Sequence, residues 1–199
     1  MNRNEHLIDP HYKHRTTLFE KSIAPEGAIV FLGDSITEMC EWQEFFPGET
    51  ILNRGISGDS TFGVIDRLEG IINLQPKKIF ITIGVNDLQR QYPKETVINN
   101  IKKTANILLA ETKSKIYLQS ILPVIEKKLQ TGIKNSTIDL VNDELRKFSE
   151  EENIEFIDNN KLMKDSSGNL NQDLSSDGLH LNGVAYRLWI ENIRSKVND

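Results

Sequence analysis

With a single cysteine, Cys40, among its 199 residues, the chain can build neither an internal disulfide nor a multi-cysteine metal site. Nothing in it therefore depends on an oxidising compartment. Cys40 falls in TEMCEWQEFF, which reads as a helix, where a buried structural thiol is the ordinary state and a nucleophile the exception. Long apolar runs are missing too. No stretch approaches the roughly 20 residues of a membrane span, and the opening MNRNEHLIDPHYKHR lacks the apolar core of a signal peptide. The expected location is the cytoplasm, with no membrane partner. Positive charge is scarce as well: 24 Lys and Arg stand against 29 Asp and Glu, for a net charge of -5. The basic residues are scattered, with Lys77-Lys78, Lys102-Lys103 and Lys127-Lys128 as isolated pairs that read as solvated faces. A nucleic-acid partner, which needs clustered basic residues, is excluded on that ground.

What is present is an alternation of short apolar runs with helix-period segments, uninterrupted by repeats or low-complexity stretches. AIVFLG, TILNRG, KKIFITIG, KIYLQSIL and IEFIDN are each rich in Ile, Val or Phe, as expected of strands buried on both faces. Between them, ITEMCEWQEFF, TFGVIDRLEGIINL, KETVINNIKKTANILLAET and STIDLVNDELRKFSEEE carry apolar residues three or four apart. In the last of these, Ile138, Val141, Leu145 and Phe148 form one stripe. A final helix follows Asn182, a credible N-cap. The pattern predicts an α/β fold, a five-stranded parallel sheet with helices on both faces in the open doubly wound arrangement. Residues 1–26 read as an N-terminal lead-in packing on a single domain of residues 27–199.

Ligands of such sheets sit outside the carboxyl ends of the strands, so the residues just after each strand are the ones to inspect. Gly33-Asp34-Ser35 follows the first, residues 53–59 the second, Gly84-Val85-Asn86-Asp87 the third, and Asp177-Gly178-Leu179-His180 comes after the fifth. A serine, a histidine with an aspartate three residues before it, an asparagine and glycines are the parts of nucleophilic acyl transfer. A hydroxyl needs a base to take its proton, the imidazole needs a carboxylate to fix its tautomer, and the oxyanion needs preorganised donors. Singly, each has a plainer explanation: Gly-Asp-Ser is a common turn and cap composition, and a loop histidine can simply satisfy a carbonyl. Their joint placement at one sheet edge is harder to explain as turns. Of four histidines, His6, His11 and His14 lie in the lead-in. Their spacing with Asp9 is irregular for a metal site and they read as surface side chains, so His180 is the histidine of the α/β body.

FLGDSITE, ILNRGISGDST, IGVNDL and SDGLHLNGVAY, in that order from about residue 29 to 190, resemble the four blocks of the SGNH or GDSL-type esterases and lipases. Within that family the chain looks most like platelet-activating-factor acetylhydrolase subunits and bacterial carbohydrate acetylesterases. The resemblance implies the three-layer α/β/α fold with a flavodoxin-like sheet and an esterase that needs no cofactor and no metal. Its substrate would be a small-molecule ester. Carried over by position, it makes Ser35 the nucleophile, Asp177 and His180 its triad partners, and the Ser35 N–H, Gly58 and Asn86 the oxyanion donors. Gly58, five residues after Asn53, matches the family's glycine better than Gly55 does. Asp34, Asn53 and Asp59 would support the site. The Gly-x-Ser-x-Gly elbow of α/β-hydrolases is absent, as in the family. Relatives in the acetylhydrolase branch often pair, which admits a homodimer. The second Gly-Asp-Ser reads differently from the first: Ser60 caps the helix that follows it and Asp59 braces the turn.

Two other readings remain open at this point. A metal-dependent phosphoesterase would use Asp34, Asp59, Asp87, Asp177 and His180 as ligands at the same strand ends, and a non-catalytic binding module would keep the crevice alone. The segments PVIEKKLQTGIKNS and KLMKDSSGNLNQDLS are the expected walls of the pocket, and Trp42 is expected to pack, not to line the site.

Overall fold

Each of the five apolar runs becomes a short strand in the computed structural model of the protein, which describes residues 4–199. β1 (Ile29–Gly33), β2 (Ile51–Gly55), β3 (Lys78–Thr82), β4 (Lys115–Gln119) and β5 (Glu155–Ile157) form one sheet in the order β2-β1-β3-β4-β5. Every pairing is parallel, the flavodoxin-like order in which the chain reverses direction between β1 and β3. Helix α1 (Pro10–Lys21) precedes the sheet. α2 (Ser35–Glu38) and α3 (Trp42–Phe45) join β1 to β2; α4 (Thr61–Asp66) and α5 (Leu68–Ile72) lead to β3; α6 (Val85–Gln89) and α7 (Lys94–Glu111) lead to β4. α8 (Asn135–Glu151) leads to β5, and α9 (Asn159–Met163) and α10 (Gly183–Asn198) follow it.

Parallel crossovers are right-handed, so a connection stepping from β1 to β2 and connections stepping the other way cover opposite faces. The result is three layers. On one face the register sets Phe31, Phe80 and Tyr117 side by side on β1, β3 and β4, their rings stacked with centroids 4.8 and 4.4 Å apart. Trp42 of α3 extends the stack over Phe31 at 3.8 Å and meets Trp189 of α10 edge-on at 5.3 Å. Trp42 thus packs, as expected. The alternate strand residues Val30, Leu32, Ile79, Ile81, Ile116 and Leu118 are buried on the other face. There the α8 stripe of Ile138, Val141, Leu145 and Phe148 is buried as its spacing predicts. α10 is held at both ends. Asn182 Oδ1 accepts the Val184 and Ala185 N–H groups at 3.0 and 3.1 Å, and Lys78 Nζ donates to the carbonyls of Lys196 and Val197 at 3.0 and 2.9 Å.

The structure departs from the pattern in four places. TEMCEWQEFF is not one helix: α2 and α3 are separate turns and Cys40 lies in the bend between them. Asn53 Nδ2 takes the carbonyls of Thr37, Glu38 and Cys40 at 3.1, 2.9 and 3.2 Å, and Trp42 Nε1 also bonds Thr37 O at 2.8 Å. Side chains claim the acceptors that a continuing helix would use. TFGVIDRLEGIINL is likewise divided at Arg67, whose φ of -113° departs from helix while its guanidinium turns inward to Asp59 and Gly33. The lead-in, of which residues 1–3 lie outside the described residues, contains α1, capped by Asp9 accepting the His11 N–H at 2.7 Å. Tyr12 of α1 donates to Gly63 O at 2.8 Å, and the Phe19 ring lies 4.7 and 4.6 Å from the Arg15 and Arg54 guanidinium carbons. Finally, His6 is no surface side chain: it is buried and paired with Asp66 at 2.9 Å.

Candidate active site

β1 ends in Gly33, and Asp34 turns the chain into α2 by accepting the Ile36 N–H at 3.0 Å, so that Ser35 opens a single helical turn at the carboxyl edge of the sheet. The Ser35 residue is mostly buried, at 4% exposure. Far along the chain, His180 Nε2 lies 3.0 Å from Ser35 Oγ, and His180 Nδ1 lies 2.7 Å from Asp177 Oδ2. A carboxylate can only accept, so Nδ1 carries the hydrogen and the Nε2 lone pair of the neutral ring faces the serine hydroxyl. Asp177 is tied down in turn. Its Oδ1 accepts the N–H groups of Leu179 at 2.9 Å and His180 at 2.8 Å, and the Ser175 hydroxyl at 3.2 Å. Partial burial would raise the Asp177 acid, but the His180 ring and these N–H groups hold it well below the ordinary carboxylate range.

The loop after β2 comes to the same edge. Gly58 has φ +77°, a left-handed backbone that favours glycine. Its carbonyl accepts from Arg90 Nη2 at 2.7 Å, and the next carbonyl, that of Asp59, accepts from Asn86 Nδ2 at 2.9 Å. An amide nitrogen has two hydrogens, so this bond fixes the plane in which the second one lies. Gly55 has a different job. A Cβ there would sit 2.3 Å from the Glu38 backbone nitrogen, so glycine is needed for β2 to pass close to α2. Asn53 holds both sides of that contact, because its Oδ1 accepts the Gly55 N–H at 2.9 Å while its amide nitrogen gathers the carbonyls after Ser35. The Ser60 hydroxyl accepts the Gly63 N–H at 3.3 Å and so caps α4.

Three aspartates of the strand ends are sunk beneath the surface. Burial pushes the Asp34 acid up to about 7; the Ile36 N–H opposes this, and Asp59 and Asp87 add to it. Asp87 accepts the Thr61 hydroxyl at 2.7 Å and N–H at 3.0 Å, yet burial still lifts it to about 6. Asp59, at 1% exposure, pairs with Arg67 Nε at 2.9 Å and accepts the Ser60 N–H at 2.9 Å; burial outweighs Arg67 and raises its acid. Both oxygens of Asp59 and of Asp87, and Asp34 Oδ1, are already committed to protein donors, and among the described residues no three His, Cys, Asp or Glu side chains converge as a metal would require. The donor set does not fit a metal-dependent phosphoesterase. Of the expected walls, the 123–136 segment touches the histidine loop: Ile125 N–H donates to Gly178 O at 2.9 Å and Lys128 Nζ to Ser176 O at 2.9 Å. Arg67 and Arg90 were not legible as parts of this region, since nothing in the sequence separates them from solvated surface charges. No helix among the described residues is long and apolar enough to cross a membrane.

Residues 31–188 match the GDSL-like lipase/acylhydrolase family. The chain is 28% identical over 177 residues to the N-acylneuraminate cytidylyltransferase of Streptococcus agalactiae serotype V, an alignment covering 85% of this chain and 40% of that protein. It thus spans less than half the length of that relative. It is 28% identical over 169 residues to the platelet-activating factor acetylhydrolase IB subunit alpha2 of Homo sapiens, covering 81% of this chain and 72% of the relative. Among solved structures, a GDSL-like lipase from Bacteroides thetaiotaomicron superposes with a TM-score of 0.84 at 26% identity, over 99% of this chain and 98% of the other.

Proposed function

The chain belongs to the GDSL-like lipase/acylhydrolase family, and from that premise we propose that it is a carboxylic ester hydrolase that removes short acyl groups, acetyl above all, through an acyl-enzyme on Ser35. The observation that carries this reading is the unbroken chain from Asp177 through His180 to Ser35, with separations of 2.7 and 3.0 Å. Ser35 Oγ attacks the ester carbonyl as His180 Nε2 takes its proton, and Asp177 stabilises the imidazolium. The negative charge that develops on the carbonyl oxygen is met by the N–H groups of Ser35 and Gly58 and by Asn86 Nδ2. The tetrahedral intermediate collapses, the C–O bond to the alcohol breaks, and His180 returns the proton to the leaving oxygen. Water then repeats the sequence on the acyl-enzyme, with His180 again as base, and releases the carboxylic acid and free Ser35.

The acetyl preference is supported by the name of the human relative, an acetylhydrolase. Platelet-activating-factor analogues and acetylated sugars are the natural esters to compare, the latter because another relative's name places it on an N-acylneuraminate. The test uses p-nitrophenyl esters of rising chain length together with intact-mass labelling by a serine-directed phosphonate. Ser35→Ala and His180→Ala are expected to lower the rate by about 10³-fold or more without loss of fold, and the phosphonate to add once, at Ser35. Full activity in Ser35→Ala would overturn the mechanism. A rate that rises with chain length would overturn the acetyl preference alone.

A further inference from the structure

Glu38 closes α2, three residues beyond Ser35, and its carboxylate leaves that turn for the loop after β2. Its Oε2 accepts both the Ser57 N–H and the Ser57 hydroxyl at 2.6 Å. Two groups of α1 face it from the other side: His11 Nε2 lies 3.1 and 3.0 Å from its two oxygens, and Arg15 Nε lies 3.0 Å from Oε1. Because a carboxylate only accepts, His11 Nε2 is a donor here. The Glu38 side chain is 16% exposed. Burial alone would raise its acid, but the Ser57 hydroxyl, His11, the Ser57 N–H and Arg15 together hold it below the ordinary value.

The position of Ser57 gives this cluster its meaning. The Ser57–Gly58 peptide bears the Gly58 N–H, and it is clamped on both sides: at Ser57 by Glu38, and at the Gly58 carbonyl by Arg90 Nη2 at 2.7 Å. Arg15 Nη2 adds a third hold upstream, on Gly55 O at 3.3 Å. A glycine at positive φ has wide conformational freedom, whereas an oxyanion donor is effective only if it is already aimed when charge develops. We propose that Glu38, braced by His11 and Arg15 of α1, is a positioning residue that holds the Gly58 N–H in line for the oxyanion. The inference rests on the esterase reading above. It makes α1 part of the active-site support, and it couples the nucleophile's own helical turn to the oxyanion loop through one carboxylate.

The experiment compares wild type with Glu38→Ala, Glu38→Gln and His11→Ala on p-nitrophenyl acetate. Alongside, it measures inhibition by a methyl trifluoromethyl ketone, whose adduct with the serine carries an oxyanion. In Glu38→Ala, kcat is expected to fall by about 10- to 100-fold with KM little changed, and the inhibition constant to rise by the same factor as kcat/KM falls. Glu38→Gln keeps an acceptor for Ser57 and should recover part of the loss. His11→Ala, at an exposed position, should fold normally and show a smaller loss of the same kind. An unchanged kcat in Glu38→Ala, a rise confined to KM, or an inhibition constant that stays put while kcat falls would each overturn the proposal. If Glu38→Ala does not fold, an unchanged kcat in both Glu38→Gln and His11→Ala overturns it equally. A wild type that neither hydrolyses the ester nor takes the phosphonate would instead sink the esterase reading, and this inference with it.

Discussion

Asp34 shows how one residue can serve a site at a cost to the fold. It must cap the turn that presents Ser35, yet it is 2% exposed and its acid is raised to about 7, against about 3.9 in an unfolded chain. Between those values the folded state binds a proton that the unfolded state does not. Stability contributed by the protonated group is therefore lost as pH rises towards 7. Asparagine has the same cap geometry and no charge to bury. Asp34→Asn is expected to unfold at a higher temperature than wild type at pH 8, with the gap closing towards pH 5.5, as thermal unfolding at the two pH values would read. A gap of the same size at both would show that the ionised carboxylate is not the cause. At this scale the candidate site was largely legible: the strand ends and the single body histidine picked out Ser35, Asp177 and His180, which the fold brings together. Glu38 and His11 were not legible, because their significance lies in a contact 27 residues apart that no local pattern encodes.

The elements divide in the same way. Strands buried on both faces announce themselves as apolar runs, and α7, α8 and α10 are long enough for their periodicity to show. The interruption at Cys40 comes from Asn53 and Trp42 taking backbone acceptors, and that at Arg67 from its own guanidinium turning inward to Asp59 and Gly33, so tertiary structure overrides a valid helical pattern. α10 illustrates how an element can be tested apart from the chemistry. Its first turn is capped by Asn182, shortly after His180, while its last carbonyls rest on Lys78 at the amino end of β3. Lys78→Met would leave those carbonyls without their buried donor, at a cost of about 1–3 kcal/mol. A lower unfolding temperature with kcat unchanged is the expected result. A fall in kcat at a temperature well below unfolding would show that the far end of α10 is coupled to the site.

For the molecule as a whole, the sheet order places the ends of β1, β2 and β3 side by side at the reversal point, and the parts drawn from residues 34–87 and 175–182 meet only when the sheet and α10 are both in place. The candidate site is thus a property of the complete layered fold, with the Ser35 and His180 contact spanning 145 residues. Both tryptophans of the chain, Trp42 and Trp189, are buried against one another on the face that carries Phe31, Phe80 and Tyr117. The opposite layer, beneath α7 and α8, contains none. Intrinsic fluorescence excited at the tryptophan band is therefore an optical reporter of one half of the core and blind to the other, while far-ultraviolet circular dichroism sums the helices of both. If the two layers melt as one cooperative unit, the two signals will trace the same denaturant curve. A fluorescence midpoint at lower denaturant than the dichroism midpoint would identify the α10 layer as the one that opens first, and with it the histidine that completes the site.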